Sequence, residues 1–204
     1  MERIVELVSL DEGKRIAQFA HHTIISIIQD GIFIRPDIHG GLRFDEQRGI
    51  FVTIRTKAAS KHPEVVCSVG YAIPTRTLIE TVSNAATAAA IRLRARKIPV
   101  KSLIVDVDIL GRLELIVVNS PLEYVEKIEL GRDGIMVEKG FSKALFLPQV
   151  PVERGWTKEE FLSECCVKAR LMPDAWCTKE VRIYRFESES FRVESAGNNT
   201  KNVR

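Results

Sequence analysis

The sequence contains few cysteines and no long apolar run. Its four cysteines are Cys67, Cys165, Cys166 and Cys177. None of them forms a C-x-x-C pair, so we expect neither a disulfide framework nor a metal site, and no cofactor. No apolar stretch approaches the roughly 18 residues of a membrane span. The amino terminus lacks the basic-then-apolar layout of a signal peptide, so we expect a cytoplasmic protein that does not bind membranes.

Phosphate-binding loops and a strong charge of one sign are also missing. Neither G-x-G-x-x-G nor G-x-x-x-x-G-K-[ST] occurs. The 30 basic and 27 acidic side chains leave a net charge of +3 over 204 residues, whereas nucleic-acid-binding domains usually carry a pronounced basic stripe. The one basic cluster, Arg92, Arg94, Arg96 and Lys97, ends a predicted helix. Cations there complement the helix dipole, and weak nucleic-acid binding through them stays an alternative.

Hydrophobic spacing predicts strands in adjacent pairs between isolated helices. Capping boxes at Ser9 and Thr157 begin two helices, and a longer alanine-rich helix is predicted over 75–96. Strands are predicted at 50–56, 64–71, 103–110, 113–118, 135–138, 144–147 and 181–186. This order indicates an α+β fold with an antiparallel β-sheet flanked by helices. We expect one domain over 1–194 and a disordered polar tail over 195–204.

Two aspartates in one predicted strand raise the possibility of a cation or acid–base site. Asp106 and Asp108 are two residues apart, so their side chains share one face of the strand. Apolar residues alternate with them, as in a half-buried antiparallel strand. We therefore expect both carboxylates to lie on a solvated face.

The second half of the chain carries a recognisable series of motifs. They are the run Gly131-Arg132-Asp133-Gly134 through Gly140, Leu147-Pro148-Gln149-Val150-Pro151, Gly155-Trp156, Glu159-Glu160-Phe161-Leu162 and Pro173-Asp174-Ala175-Trp176. This series resembles the AMMECR domain family, and the resemblance covers about residues 10–190. It implies an α+β fold of two lobes with a cleft between them. It implies no established enzymatic activity, and it suggests a Memo-like or radical-SAM protein as partner.

The family's signature, Leu-Arg-Gly-Cys-Ile-Gly, is altered in this chain. Aligned on Gly70, the family's cysteine falls on Ser68 and its arginine on Val66. Cys67 is one residue away, which in a strand places its side chain on the opposite face. The resemblance thus makes Cys67 and Ser68 the candidate nucleophiles of a diverged site.

Ligand-binding candidates come from the same motifs. We assign Gly70, Arg132, Asp133 and Gln149 to a ligand site in the implied cleft. For Gly131–Gly134 alone, a plain hairpin turn is the favoured interpretation. The favoured function is a binding or accessory protein.

An enzyme that uses Ser68 or Cys67 as nucleophile is the alternative, and it needs a histidine as base. His39 and His62 are predicted in loops, where functional histidines are common. If extended, the chain separates His62 from Cys67 by about 16 Å, so a dyad with Cys67 needs His39, His21 or His22. His21 and His22 are adjacent on a helix, about 100° apart, and so are poorly placed to share one ion.

Overall fold

The computed structural model describes residues 7–34, 46–57, 63–94, 96, 98–195 and 199–202. The chain divides into two compact units, one formed by residues 1–110 with 189–204 and the other by residues 111–188. Each unit contains helices and an antiparallel sheet. The predicted α+β class is therefore confirmed. The cleft between lobes stays a prediction.

The first unit is a five-stranded sheet with two helices against one face. Its helices are α1 (Leu10–Gln29) and α2 (Leu78–Arg94), and its strands are β1 (Ile50–Thr56), β2 (Glu64–Tyr71), β3 (Leu103–Leu110), β8 (Ser188–Glu194) and β9 (Asn199–Asn202). The strand order is β2-β1-β3-β8-β9. The helices and the sheet share one apolar core.

Local sequence signals explain both helices. The Ser9 side chain accepts from the Glu12 amide, and the Glu12 side chain caps Ser9 in return, which satisfies two free amides at the start of α1. After α1, Gly31 has a φ of +71°, a conformation that glycine adopts without a Cβ clash. In α2, four fully buried alanines (Ala85, Ala86, Ala89 and Ala90) allow the helix to pack closely on its neighbours.

The second unit is a four-stranded sheet of order β4-β7-β5-β6. Its strands are β4 (Glu114–Leu115), β5 (Gly134–Lys139), β6 (Ser142–Phe146) and β7 (Arg182–Phe186), and its helices are α3 (Leu122–Lys127), α4 (Gln149–Arg154) and α5 (Lys158–Lys168). The Thr157–Glu160 capping box begins α5 as predicted. Fully buried Phe161, Leu162 and Cys165 of α5 pack with Ile135 and Ile183 of the sheet.

Two predicted elements differ from the structure. The strand predicted over 113–118 does not pair with β3; only Glu114 and Leu115 form a strand, and they pair with β7. The reason is that β3 already has β1 on one side and β8 on the other. In the tail predicted to be disordered, residues 199–202 form β9, because β8 offers a free edge to pair with.

The expectation that Asp106 and Asp108 face solvent is wrong. Asp106 is 4% exposed and Asp108 is 0% exposed. Every residue of β3 is buried, because this strand is central in its sheet and covered on both faces. In β3 the alternation of polar and apolar residues therefore marks a polar face, with Asp106 and Asp108, that is itself buried.

Candidate functional site

A row of polar side chains crosses the face of the five-stranded sheet opposite the two helices. Thr53 of β1 lies directly between Ser68 of β2 and Asp106 of β3 in the strand register. The Thr53 and Ser68 hydroxyl oxygens are 2.9 Å apart and share a hydrogen bond. Thr53 is buried, whereas Ser68 is exposed. The hydrogen bond to Thr53 therefore orients the Ser68 hydroxyl, while Ser68 itself is accessible to solvent.

Two arginines converge on the next carboxylate in the row. Arg55 Nε donates to Asp106 Oδ2 at 2.8 Å. Arg192 Nε and Nη2 donate to Asp106 Oδ1 and Oδ2 at 2.6 and 2.9 Å. The side chains of Arg55, Asp106 and Arg192 are 9%, 6% and 23% exposed. Buried charges are costly unless their hydrogen bonds are satisfied, as those of Asp106 are here. We call Arg55, Asp106 and Arg192 the polar floor, since they continue the polar row that begins at Ser68.

A second carboxylate continues this floor. The Ser190 hydroxyl donates a hydrogen bond to Asp108 Oδ1. Ser190 and Arg192 are two residues apart on β8, as Asp108 and Asp106 are on β3, so both pairs lie on the same face. Strands distant in the sequence thus supply the partners of both aspartates.

Cys67 lies on the opposite face of the sheet, next to a β-bulge in β2. Ile54 pairs with Cys67 and Arg55 pairs with Val65, which leaves Val66 as an extra residue in β2. Val66 and Cys67 both pack against the apolar core beneath the helices. The Cys67 thiol lies 3.9 Å from the Ala89 carbonyl oxygen of α2. The sequence argument that Cys67 and Ser68 point to opposite faces agrees with this geometry. The bulge itself carries no signal in the sequence.

Burial makes Cys67 a poor nucleophile. Burial raises the pKa of the Cys67 thiol, and the nearby Arg92 and Arg96 guanidiniums only partly oppose this. Since the thiolate is the reactive form, a raised pKa leaves less of it at neutral pH.

The histidines do not complete a dyad in the part of the chain that the structure describes. His21 of α1 contacts the Ser195 hydroxyl through Nε2 at 2.8 Å, beyond the end of β8. Strand β8 is three positions from β2 in the sheet, about 14 Å at ordinary strand spacing, which is too far from Cys67. His39 and His62 lie outside the described residues.

His21 also borders a cavity of about 520 Å³ in the first unit. The described residues that line it are Gln18, His21, His22, Ile25 and Val193. Burial, and secondarily the neighbouring His22, lowers the pKa of His21. The ring is therefore neutral at physiological pH.

Gly70 and the three other ligand-binding candidates lie in different units. Gly70 is in the first unit, and a Cβ at this position would overlap the Ile50 carbonyl oxygen and the Phe51 ring. The close approach of the Ile50 carbonyl oxygen, together with the Phe51 ring, therefore accounts for the glycine. Arg132, Asp133 and Gln149 are in the second unit, where Gln149 is the first residue of α4.

Arg132 and Asp133 build the turn before β5. Asp133 Oδ2 accepts from the Glu129 amide at 2.8 Å, and its two oxygens accept from Arg132 Nε and Nη2 at 2.9 and 3.0 Å. Arg132 also forms an ion pair with Glu129 at 2.6 Å, and the hydrogen bond to Asp133 raises the pKa of the Arg132 guanidinium. These contacts show that Gly131–Gly134 forms a structural turn, but it connects α3 to β5, so the prediction of a hairpin turn between two strands is wrong. A ligand role for the two residues stays a prediction.

The basic cluster at the end of α2 is exposed, with one side chain engaged. Arg96 Nη1 donates to the Val66 carbonyl oxygen at 2.9 Å, so Arg96 holds the bulge of β2. Arg92 and Arg94 occupy the last turn of the helix, where they complement its dipole. Lys97 lies outside the described residues.

The described residues offer neither a metal-ligand cluster nor a membrane-spanning helix. No group of three or more histidine, cysteine, aspartate or glutamate side chains is placed to hold a metal ion there. None of the helices in that part of the chain is both long and apolar enough to cross a membrane.

Comparison with known proteins identifies the family. The AMMECR1 family model matches residues 17–191. Protein MJ0810 of Methanocaldococcus jannaschii is 40% identical over 202 residues, covering 95% of this chain and 96% of its own length. Protein MK0488 of Methanopyrus kandleri is 37% identical over 198 residues, covering 93% and 92% of the two chains.

A solved structure has the same fold. It is described as that of Uncharacterized Protein PH0010 from Pyrococcus horikoshii, with a TM-score of 0.86 and 34% sequence identity. The match covers 96% of this chain and 98% of the other. These findings confirm the resemblance drawn from the motifs of the second half. The chain belongs to the AMMECR1 family.

Proposed function

We propose that this chain is a non-catalytic binding protein whose ligand contacts Ser68, with the buried Thr53 hydroxyl orienting the Ser68 hydroxyl. The observation that carries the proposal is the hydroxyl pair itself. Ser68 is exposed, and its hydroxyl is oriented by the buried hydroxyl of Thr53 at 2.9 Å. Each hydroxyl can both donate and accept hydrogen bonds, so the pair suits a polar small molecule or the backbone of a partner segment.

The surroundings of Ser68 argue against a serine nucleophile. Activating a hydroxyl requires an adjacent base that takes its proton. The carboxylate nearest in the row is Asp106, and it already accepts three hydrogen bonds from Arg55 and Arg192. Both oxygens of Asp106 are thus engaged by guanidinium donors, and the Ser68 hydroxyl bonds the Thr53 hydroxyl instead of a base. The hydroxyl pair therefore suits recognition better than group transfer.

The alternative with Cys67 as nucleophile is weaker still. Its thiol points into the core under α2, away from Ser68, and burial raises its pKa. A ligand held on the Ser68 face would have the sheet between itself and this sulfur. The half-buried thiol is thus better explained as a small side chain that packs against the core.

The family resemblance supports the proposed partner. We place the protein in the cytoplasm, as an accessory to a Memo-like or radical-SAM protein that carries out the chemistry. On this proposal the ligand of the Ser68 face is either the small molecule on which that partner acts or a segment of the partner. The diverged signature then marks a site that has kept its geometry while losing its thiol.

Native mass spectrometry of the protein purified gently from its own cells tests this proposal. We expect a discrete adduct on the wild-type chain that is lost in Ser68→Ala. The matched control is Ser102→Ala, since Ser102 accepts from Thr56 at 3.1 Å in another hydroxyl pair of the same unit. Ser102→Ala should keep the adduct. An adduct that survives Ser68→Ala unchanged, or loss of the adduct in both variants, contradicts the proposal.

A further inference from the structure

A second surface of the first unit combines exposed apolar and basic side chains. We call it the α2-end surface and define it by Ile32, Phe33, Ile91, Arg92, Arg94 and Arg96. Ile32, Phe33 and Ile91 are 59%, 61% and 55% exposed. Large apolar side chains grouped in this way and rimmed by charge mark interaction sites.

The parts of this surface are adjacent. A Cβ placed on Gly31 would lie 3.9 Å from both terminal nitrogens of Arg94, so the Arg94 guanidinium lies over the end of α1, next to Ile32. Arg92 and Arg96 lie on the β2 side, where their charges act on Cys67. Helical geometry places Ile91 one turn before Arg94 on the outer side of α2.

Hydrogen bonds to Ser26 hold the backbone of Ile32 in place. The Ser26 hydroxyl donates to the Ile32 carbonyl oxygen at 3.2 Å, and the Ile32 amide donates to the Ser26 carbonyl oxygen at 3.3 Å. These two bonds fix the chain just after α1. An ordered apolar residue loses little entropy on binding, which is a property of an interface anchor.

The charge of the surface is positive. Among the described residues, the three arginines outnumber the exposed carboxylates of Asp30 and Glu64 at the ends of α1 and β2. Among the residues that the structure describes, Arg92 and Arg94 form no ion pair within the chain. Arginine is enriched at protein interfaces, where lysine is depleted, and its fork binds carboxylates in a bidentate manner.

We propose that the α2-end surface docks an acidic amphipathic segment of a partner protein, with carboxylates on Arg92 and Arg94 and apolar side chains on Ile91 and Ile32. Charge complementarity selects an acidic occupant, and the exposed aliphatic residues select protein over nucleic acid. Protein–nucleic acid interfaces are more polar and far more basic than this surface. The docking surface lies on the helix-covered side of the sheet, so it is separate from Ser68.

Fluorescence anisotropy with a defined probe tests the proposal. The probe is a labelled synthetic helix of about 15 residues, long enough to populate helix on binding, with leucines on one face and glutamates on the other. Its binding should weaken about tenfold or more in Arg92→Glu/Arg94→Glu, because rim charges become repulsive. Ile91→Asp should weaken it similarly. Arg76→Glu, an exposed arginine before the opposite end of α2, is the control and should bind as wild type.

The same variants distinguish an acidic protein segment from a nucleic acid or a lipid surface as the occupant. Circular dichroism of each variant verifies that it is folded. Binding of an oligothymidylate that is lost in the arginine double variant but kept in Ile91→Asp overturns the proposal in favour of a phosphate site. Preferential binding to phosphatidylserine vesicles overturns it in favour of a lipid surface. No binding of the peptide by the wild-type chain also overturns it. Because Ser68→Ala leaves this surface untouched, its failure and that of the Ser68 proposal are distinguishable.

Discussion

Cys67 and Ser68 are consecutive residues whose side chains lie on opposite faces of the five-stranded sheet. Ser68 pairs with Thr53 on the polar face, and Cys67 pairs with Ile54 and packs into the core under α2. The Cys67 thiol therefore contacts the apolar core, and the Ser68 hydroxyl contacts a polar surface. The prediction that Ser68 stands where the family's signature has a cysteine therefore concerns the polar face alone, and Cys67 on the other face is not its substitute.

Loss of the Asp106 carboxylate should destabilise the first unit strongly. Asp106→Leu removes the shared partner of Arg55 and Arg192, two guanidiniums with little access to water. Breaking a buried ion pair on one side costs about 3–5 kcal/mol. Urea unfolding followed by circular dichroism measures the loss.

An exposed ion pair provides the control for that variant. Glu114→Gln breaks the pair with Arg185, whose side chains are 58% and 40% exposed, and should cost about 1 kcal/mol or less. Equal effects of the two substitutions would contradict the account of the polar floor.

Gly70→Ala should destabilise the fold by steric overlap. The added Cβ would meet the Phe51 ring and the Ile50 carbonyl oxygen. Overpacking of this kind costs about 1–3 kcal/mol. The melting temperature should fall, and Phe51→Leu should not recover the loss, because the nearest contact is with the Ile50 backbone oxygen and leucine keeps a Cγ beside the added Cβ. An unchanged melting temperature in the single variant would mean that Gly70 is kept for a reason other than packing.

The Thr157 cap should contribute measurably to α5. Thr157→Ala removes the side chain that accepts from the Glu160 amide. Loss of an N-cap costs about 0.5–2 kcal/mol. Tryptophan fluorescence during urea unfolding reports the effect, since Trp156 is the adjacent residue. Thr157→Ser keeps the hydroxyl and should restore most of the stability; a serine variant as weak as the alanine variant would argue against capping.

His21 should make stability depend on pH below its ordinary pKa of 6.5. Burial lowers the pKa of His21 in the folded chain, so well above pH 6.5 the ring is neutral in both states and contributes no pH dependence. Below that pH the unfolded chain binds the proton first, and stability falls as pH decreases.

A comparison of unfolding curves checks this. His21→Gln, measured beside wild type between neutral and mildly acidic pH, should lose less stability on acidification. Parallel losses in the two proteins would show that other groups account for the pH dependence.

The elements with local signals were predictable, and those fixed by distant contacts were not. Both capping boxes and the turn before β5 carry their information within a few residues. By contrast, Asp106 shows the alternation of a solvated strand, and only the positions of Arg55 and Arg192 make it a buried group. Those partners are 51 and 86 residues away in the chain.

The candidate site divides in the same way. The opposition of Cys67 and Ser68 follows from the two-residue period of a strand and was predictable. The Thr53–Ser68 pair depends on the register between β1 and β2, and the bulge at Val66 shifts that register. Strand register and bulges are set by the packing of the whole sheet, so the local sequence does not encode them.

The most direct test of the central claim is the intact mass of the protein after exposure to a fluorophosphonate, a reagent that reacts with activated serines. The account predicts no phosphonyl adduct on Ser68, because its hydroxyl pairs with another hydroxyl and Asp106 is held by two arginines. A stoichiometric adduct on the wild-type chain that is absent from Ser68→Ala would show an activated nucleophile, and the binding-protein account would be wrong.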